Sequence, residues 1–492
     1  MQKLLRIIRS DTFKGLFPSY VLSFLLFYPS LFNFFTHDDF FHFKIAQVNN
    51  ISEFLGFFNL FASPFSWGFY RPLTTQVFYS LGSEVFSKNP FWMHVASFIV
   101  FGGVIYLVYK LLFILFANKY LAFLSSLLYA TSASHFGHLY FLGAFQELGL
   151  GLSFLSSLFF FVKFLKIGKR FSLFLSLSLF AASLASKETA VVLPLVLILV
   201  SIYLILSKKT KISFLRIAKF ISPYLLILAV YLYLRIFHYG FATGESYIWS
   251  FSPRIFNTLF WYTLWSFNLP EMLVDYVGPG FKINPNLLLF WQKEVTRILV
   301  AVLIAASCLI YLVCKSLKNF KRQDYFIFAL GFLWFGATLV PVIFLPWHKF
   351  TFYLTLPLVG IAFAVANLLM FYKNNLFIIL FFLSFLFTSF FTLDLTVKTH
   401  WITRGAAISR RVYDYFSLVG KKNDDKFLIE FYNTDYDADL PWKPSDLVSD
   451  SISGNNFFEV FFKDNFRLAD GENYGDPVRK TLKVRARDFL GY

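Results

Sequence analysis

Long apolar runs alternate with short polar turns over residues 1–394 of the chain. Most runs contain about 18–25 residues, which is the length that an α-helix needs to cross a bilayer core ~30 Å thick. Unbroken apolar stretches of this length predict membrane-spanning helices, not the strands of a soluble sheet. The spans predicted from the eleven runs cover residues 15–35, 91–116, 120–134, 147–163, 171–186, 189–206, 220–239, 295–314, 325–345, 350–371 and 376–394.

Two longer polar and aromatic segments interrupt this alternation. Residues 36–90 form the predicted first outer loop, and residues 240–293 form a second one with many helix breakers. Amphipathic segments of this kind lie at the membrane surface with their apolar face in the lipid. We therefore expect amphipathic helices in the outer loops.

The last part of the chain, residues 395–492, is polar and carries only short apolar runs. The runs at 427–432, 457–462 and 481–487 predict strands of a small domain. The predicted fold class is an all-α polytopic membrane protein of about eleven transmembrane helices. Its transmembrane module, residues 1–394, is followed by a small mixed α/β C-terminal extracytoplasmic domain, residues 395–492.

Composition and charge agree with a membrane protein. Hydrophobic residues make up 57% of the chain and charged residues only 15%. The formal net charge of +17 could indicate nucleic acid, but from Thr396 onward fifteen Lys or Arg balance fifteen Asp or Glu. The surplus therefore lies in the short turns between spans, as the positive-inside rule describes. We expect no nucleic-acid partner, an integral protein of a bacterial plasma membrane and a cytoplasmic N-terminus.

Two adjacent carboxylates, Asp38 and Asp39, follow the first apolar run directly. Carboxylates are costly beside hydrocarbon, so a pair at this place is a candidate functional site. Because adjacent carboxylates repel, one of them should have a raised pKa, which suits a general base. A helix N-cap at the membrane surface explains the pair equally well.

Cationic residues recur in the first outer loop and in later outer turns. Arg71 could hold a phosphate through its guanidinium fork, and a snorkelling arginine explains it equally well. Lys187 could stabilise a phosphate leaving group, although a charged turn is the simpler explanation of Lys187 and Glu188. His348 and Lys349 occupy an equivalent outer position.

A second group of polar residues lies around the turn between the third and fourth predicted spans. His135 and His138 are three residues apart, which can place both on one helical face, and Glu147 follows. These residue types can bind a divalent cation. Interfacial hydrogen bonding explains them at least as well.

The ordered set of these motifs resembles the integral-membrane C-type glycosyltransferases (GT-C fold), especially the protein O-mannosyltransferase branch with its bacterial and tetratricopeptide-bearing relatives. The resemblance covers roughly residues 30–200. Its motifs are Asp38-Asp39, Tyr70-Arg71-Pro72-Leu73, His94, Ala130 to His135, Gly143 to Leu148, and Ser186-Lys187-Glu188-Thr189 through Leu193-Pro194. The chain departs from the family pattern at Thr131-Ser132, where His-Pro is common, and at Ala144.

The resemblance implies transfer of mannose or another hexose or pentose from a polyprenyl-phosphate donor, with inversion, to an extracytoplasmic protein, lipid or glycan. Asp38, or else Asp39, would be the base. Arg71, Lys187, His348 and Lys349 would balance the charge of the lipid phosphate. The remaining polar residues, His135, His138, Glu147 and Glu188, would complete the cavity, around a divalent cation if one is needed.

Two other classes of function fit the same sequence. A transporter or lipid flippase would place charged residues in mid-span and show internal pseudo-symmetry. A non-catalytic membrane scaffold that presents the C-terminal domain would not need the outer-loop charges.

Overall fold

The structure is a computed structural model that describes residues 11–491 except 62–68, 211, 241–243, 371–374, 423–424, 438–439, 441, 464 and 470–478. Most of these residues are helical. The helices are α1 (Asp11–Phe27), α2 (Asp38–Ile45), α3 (Ile51–Gly56), α4 (Val77–Glu84), α5 (Pro90–Phe116), α6 (Lys119–Ala130), α7 (Phe136–Tyr140), α8 (Phe145–Ile167), α9 (Arg170–Leu184), α10 (Leu193–Leu206), α11 (Phe214–Leu234), α12 (Arg254–Ser266), α13 (Leu273–Tyr276), α14 (Asn286–Leu317), α15 (Arg322–Ile343), α16 (Pro357–Met370), α17 (Asn375–Thr399), α18 (Trp401–Lys422), α19 (Pro444–Ser451) and α20 (Asn455–Phe462). The strands are β1 (Val277–Gly278), β2 (Lys282–Ile283), β3 (Phe427–Tyr432), β4 (Phe466–Leu468) and β5 (Lys480–Arg485).

Eight helical segments among the described residues are long and apolar enough to cross a membrane. They are Gly15–Phe32, Pro90–Phe116, Leu142–Ile167, Glu188–Leu206, Phe214–Tyr239, Asn286–Ser316, Arg322–Ile343 and Leu376–Thr399. The polytopic helical prediction is confirmed, and the count of eleven is not. The other three predicted spans contain α6, α9 and α16, with 12, 15 and 14 residues. At 1.5 Å per residue such helices reach only about 18–23 Å.

The short helix α16 lies at the centre of the bundle. Residues 357–369 are all buried, so this helix is covered on every side by other helices. It approaches α15 most closely where Gly331 faces Gly360. A Cβ atom on Gly331 would lie 2.8 Å from the carbonyl oxygen of Gly360, and a Cβ on Gly360 would lie 3.1 Å from the backbone nitrogen of Phe335. Small residues at this crossing therefore let the two backbones meet, as in many membrane helix pairs.

A buried amide, Asn268, connects three distant parts of the bundle. Its Oδ1 accepts hydrogen bonds from the Ser132 hydroxyl and the Ala133 N–H, both at 2.9 Å. Its backbone carbonyl accepts from the Thr392 hydroxyl at 2.6 Å. Asn268 has φ +67°, a left-handed conformation that asparagine tolerates better than most residues. The turn after α6, the end of α12 and the middle of α17 are thereby joined.

The C-terminal residues form a small parallel sheet with flanking helices. The strand order is β4-β3-β5, and Phe427 pairs with Phe466 on one side and Lys480 on the other. The strand predicted at 427–432 is confirmed. The run predicted at 481–487 is a strand only as far as Arg485, because a 3₁₀ turn follows at Ala486–Phe489. The strand predicted at 457–462 is wrong, because this segment is helix α20. Its phenylalanines at i and i+4, such as Phe457 and Phe461, contact each other on one helical face.

This C-terminal unit packs directly on the segment that contains α2. The carbonyl oxygen of Ser451 accepts hydrogen bonds from the His37 N–H at 2.8 Å and the Ser409 hydroxyl at 2.8 Å. The ring of Phe40 lies edge-to-face against Phe457, with the centroids 5.1 Å apart. An ion pair between Lys44 and Glu459 closes the same contact at 2.8 Å. The segment that carries Asp38 and Asp39 is therefore held from the far end of the chain.

We predict that Gly360→Val destabilises the bundle by about 1–3 kcal/mol, because the added side chain overpacks a backbone contact. Thermal unfolding of detergent-purified protein measures this effect. Gly336→Ala is the matched control, because no atom lies within 4 Å of a Cβ placed there. An unchanged unfolding temperature for Gly360→Val would contradict the close crossing of α15 and α16.

Candidate functional site

The two adjacent aspartates occupy different environments at the start of α2. The chain turns sharply at His37, whose φ is +49°, and α2 begins at Asp38. Asp39 is buried, and its carboxylate accepts hydrogen bonds from the Thr36 N–H at 2.8 Å and from the Tyr79 hydroxyl. The N-cap of α2 is His37, without a side-chain cap bond, so neither aspartate caps the helix. The carboxylate of Asp39 is occupied by structural partners.

Asp38 remains available to a ligand. Its side chain is exposed, although protein surrounds it closely. This partial desolvation raises the pKa of Asp38, and the positive charge of Arg71 opposes the rise. Burial also raises the pKa of Asp39 to about 7, while the bonds from Tyr79 and Thr36 oppose that rise. Repulsion from Asp38 adds to the raised pKa of Asp39, but burial is the larger cause.

Arg71 is fixed by a fork of charge-assisted hydrogen bonds. Its Nε donates to Oε2 of Glu188 at 2.8 Å, and its Nη2 donates to the other oxygen of the same carboxylate. Its Nη1 donates to the buried amide oxygen of Gln146, and the ring of Phe69 lies 4.0 Å from the guanidinium carbon. Three of the five N–H donors of Arg71 are thus used by these described partners. Two donors remain for a ligand.

Lys187 and Glu147 form a second, more deeply buried ion pair. Their side chains are only 5% and 2% exposed, and the Lys187 ammonium donates to Oε1 of Glu147. The Tyr353 ring centroid lies 4.5 Å from the same ammonium. Such a pair resists disruption, because removing either partner leaves an uncompensated buried charge.

The two ion pairs share a simple arrangement of neighbouring residues. Gln146 and Glu147 are adjacent at the start of α8, and Lys187 and Glu188 are adjacent in the turn between α9 and α10. Gln146 and Glu188 bind Arg71, whereas Glu147 and Lys187 bind each other. The result is a compact group of alternating charges, which we call the charge cluster: Arg71, Gln146, Glu147, Lys187 and Glu188.

His348 joins this cluster, but Lys349 does not. The His348 ring lies 4.3 Å from the Tyr247 ring and 5.8 Å from the Tyr353 ring, measured between centroids. Burial lowers the pKa of His348 to about 4, and the positive charges of Lys187 and Arg71 lower it further. His348 is therefore a neutral hydrogen-bonding group at pH 7. Lys349 instead donates to Asn257 at 3.0 Å and lines a separate recess beside Trp347.

His135 and His138 are internal structural groups. Nδ1 of His135 and Nε2 of His138 share a hydrogen bond of 3.0 Å, and Nε2 of His135 bonds the Tyr129 carbonyl at 2.6 Å. Both rings are buried, and Glu147 is held by Lys187. No group of three His, Cys, Asp or Glu side chains that could hold a metal occurs in the described part of the chain. A divalent cation, which the sequence left open at these residues, does not fit their arrangement.

Several groups around the site carry no sequence signal of their own. Tyr79 binds Asp39, and Tyr247 and Tyr353 border the charge cluster, but the sequence contains 27 tyrosines without distinguishing features. Glu271 accepts from the Thr351 N–H at 2.6 Å and pairs with His400 at 3.2 Å. It fixes the segment that follows His348. Only long-range packing identifies these roles.

Comparison with protein-family models, with curated proteins and with solved structures found no match to this chain. The chemistry must therefore be inferred from the site itself. An exposed carboxylate with a raised pKa stands near a guanidinium whose two remaining donors can bind an anion. That combination can remove a proton from a hydroxyl group while stabilising a negatively charged leaving group.

We predict that Tyr79→Phe destabilises the protein by about 1–3 kcal/mol, because the buried Asp39 carboxylate loses a hydrogen-bond donor. The bond from Tyr79 favours the ionised form of Asp39, whose pKa is about 7. The loss should therefore be larger above pH 7 than below it. Thermal unfolding at both pH values measures the difference.

The exposed residue Tyr436 provides the control for this measurement, as Tyr436→Phe, since its side chain is 85% exposed. A Tyr79→Phe effect that is equal at both pH values would contradict the hydrogen bond to an ionisable Asp39.

Proposed function

We propose that the protein is a membrane glycosyltransferase that moves a sugar from a polyprenyl-phosphate donor to an extracytoplasmic acceptor, with inversion. The observation that carries this proposal is the exposed Asp38 carboxylate beside Arg71 and the charge cluster. The resemblance of the ordered motifs to C-type glycosyltransferases supports the same reaction. Mannose or another hexose or pentose would be the transferred sugar.

Asp38 is the proposed base. It accepts the proton of the acceptor hydroxyl as the acceptor oxygen bonds to the anomeric carbon of the donor sugar. The bond from that carbon to the phosphate oxygen breaks on the opposite face, and polyprenyl phosphate leaves with the electron pair. Because Asp39 is occupied by Thr36 and Tyr79, it serves to orient α2 and not to take the proton.

Arg71 is the proposed phosphate ligand. The leaving phosphate gains one negative charge, and the two remaining N–H donors of Arg71 can meet it. Glu188 and Gln146 hold the guanidinium in place before the reaction, so little reorganisation is needed. Lys187 and neutral His348 complete the proposed phosphate side, with Lys187 acting by its charge because Glu147 holds it.

The proposed membrane arrangement places this site at the outer face of a bacterial plasma membrane. In this arrangement, α6, α9 and α16 cross the membrane together with the eight longer helices, which gives eleven crossings. The N-terminus is cytoplasmic, and the C-terminal residues are extracytoplasmic. Neighbouring helices cover α16 and most of α6, whereas α9 is covered on one face only. The donor's polyprenyl tail would enter from the bilayer.

We predict that Asp38→Asn lowers turnover about 10²–10⁴-fold, because a carboxamide cannot take the acceptor proton. The measurement is release of labelled hexose from polyprenyl-phosphate hexose by protein in lipid nanodiscs, with cell-envelope extract as acceptor. Asp446→Asn, on the exposed side of α19, is the control.

Equal turnover of wild type and Asp38→Asn would remove Asp38 from the mechanism. Absence of turnover with every tested sugar would instead favour a transporter, a lipid flippase or a non-catalytic scaffold. Folding of each variant is checked by its elution profile and unfolding temperature.

The pH dependence of turnover gives an independent prediction. Activity should fall as the pH decreases through the pKa of Asp38, because the protonated acid is not a base. This pKa is raised by burial and lowered by Arg71. Arg71→Gln should therefore move the acidic limb of the residual activity to higher pH, in addition to weakening donor binding. A limb that moves to lower pH, or not at all, would contradict the coupling of the two residues.

A further inference from the structure

A large groove borders the candidate site on the side of the C-terminal unit. It has a volume of about 990 Å³, at the upper end of the range for binding pockets, about 300–1,000 Å³. Residues 272–291 of the second outer loop form one side, and the junction of α17 with α18 forms another. Trp442 and the end of α19 contribute the third. The reaction chemistry described above uses none of this space.

Aromatic rings and short polar groups alternate along the groove. Trp291, Tyr276 and Trp401 line it, and Trp291 lies at a kink in α14, with φ −128° and ψ 21°. Asn284, Asn286 and the exposed carboxylate of Asp275 lie among them. Flat rings cover the apolar C–H face of a sugar, while amides and carboxylates bind the hydroxyl groups on its rim.

The charges of the groove exclude other ligand classes. Asp275 and Asp450 stand against Arg404, Arg411 and Lys398. Lys398 is paired with Asp394 at 2.8 Å and Glu294 at 3.8 Å, so the lining offers little excess of positive charge for a polyanion. These charges also make it a poor site for an acyl chain. None of the described residues that line the groove belongs to a strand, so it lacks the sheet edge on which extended peptides commonly add.

The groove reaches the residue that precedes the proposed base. His37 lines it and immediately precedes Asp38 in the chain. The Trp401 ring lies edge-to-face against the His37 ring, with centroids 4.8 Å apart. Gly405, on the next turn of α18, allows this approach, because a Cβ there would lie 2.6 Å from Cε1 of His37. A chain that leaves the groove past Trp401 and His37 arrives at the start of α2.

We propose that this groove binds the acceptor and that the acceptor is a neutral glycan chain, whose terminal hydroxyl group is presented to Asp38. The role as acceptor site rests on the proposed glycosyl transfer, whereas binding of the glycan does not. Binding and transfer are therefore measured separately.

The binding test uses wild-type protein in nanodiscs and saturation-transfer NMR with neutral hexasaccharides of mannose, glucose, galactose and N-acetylglucosamine. At least one hexasaccharide should bind, and Trp291→Ala and Asp275→Asn should each weaken its binding about tenfold or more. Trp249→Ala is the control, because Trp249 is an accessible tryptophan that stacks on Phe344 outside the groove.

Each outcome decides the proposal. Failure of all four hexasaccharides to bind, or binding that Trp291→Ala and Asp275→Asn leave unchanged, would overturn it. If a serine- and threonine-rich peptide binds instead, and Trp291→Ala and Asp275→Asn abolish its binding, the glycan proposal is overturned in favour of a protein acceptor.

The transfer test distinguishes the proposed transferase activity from the proposed glycan binding in the groove. Hydrolysis of polyprenyl-phosphate hexose by water needs the donor site and Asp38 but no acceptor. Trp291→Ala should leave this hydrolysis unchanged and lower transfer to the bound hexasaccharide about tenfold or more. Hexasaccharide binding without hydrolysis or transfer would support the groove and contradict the transferase. Hydrolysis with no hexasaccharide binding would support the transferase and contradict the groove.

Discussion

Ionised side chains beside a hydrocarbon layer persist only when they are paired, and this constraint shapes the whole candidate site. Arg71 is held by Glu188 and Gln146, and Lys187 is held by Glu147. The partners come from different parts of the chain, so the pairs tie the segment that carries Arg71 to α8 and to the turn before α10. The charges that would bind a phosphate are also the charges that fix the local fold.

The same constraint gives the two adjacent aspartates different roles. Asp39 is buried, and a hydroxyl and a backbone N–H satisfy its carboxylate. This arrangement fixes the orientation of α2 and leaves the neighbouring carboxylate of Asp38 exposed. Adjacent residues on a helix point in different directions, so one can serve the structure while the other serves a ligand.

The C-terminal unit is part of the site and not a separate appendage. Its Ser451 carbonyl holds the backbone of His37, and its phenylalanines cover Phe40. It also forms one side of the groove that ends at His37. The loop that carries the proposed base is therefore ordered by residues more than 400 positions away, as the hydrogen bond from Thr36 to Ser451 illustrates.

The sequence by itself determined the membrane class, the eight long spans, the strand at 427–432 and most of the strand at 480–485, because length and apolar content are local properties. It also identified Asp38, Arg71, Lys187 and Glu188 as charged residues whose position beside apolar segments requires a structural or functional explanation. Only the tertiary structure decided which aspartate is exposed, that Lys349 lies apart, and that His135 and His138 bond each other. It also showed that residues 457–462, predicted as a strand, belong to helix α20. The helices α6, α9 and α16 are shorter than the spans predicted for them. These outcomes depend on contacts between residues far apart in the chain, which no local pattern encodes.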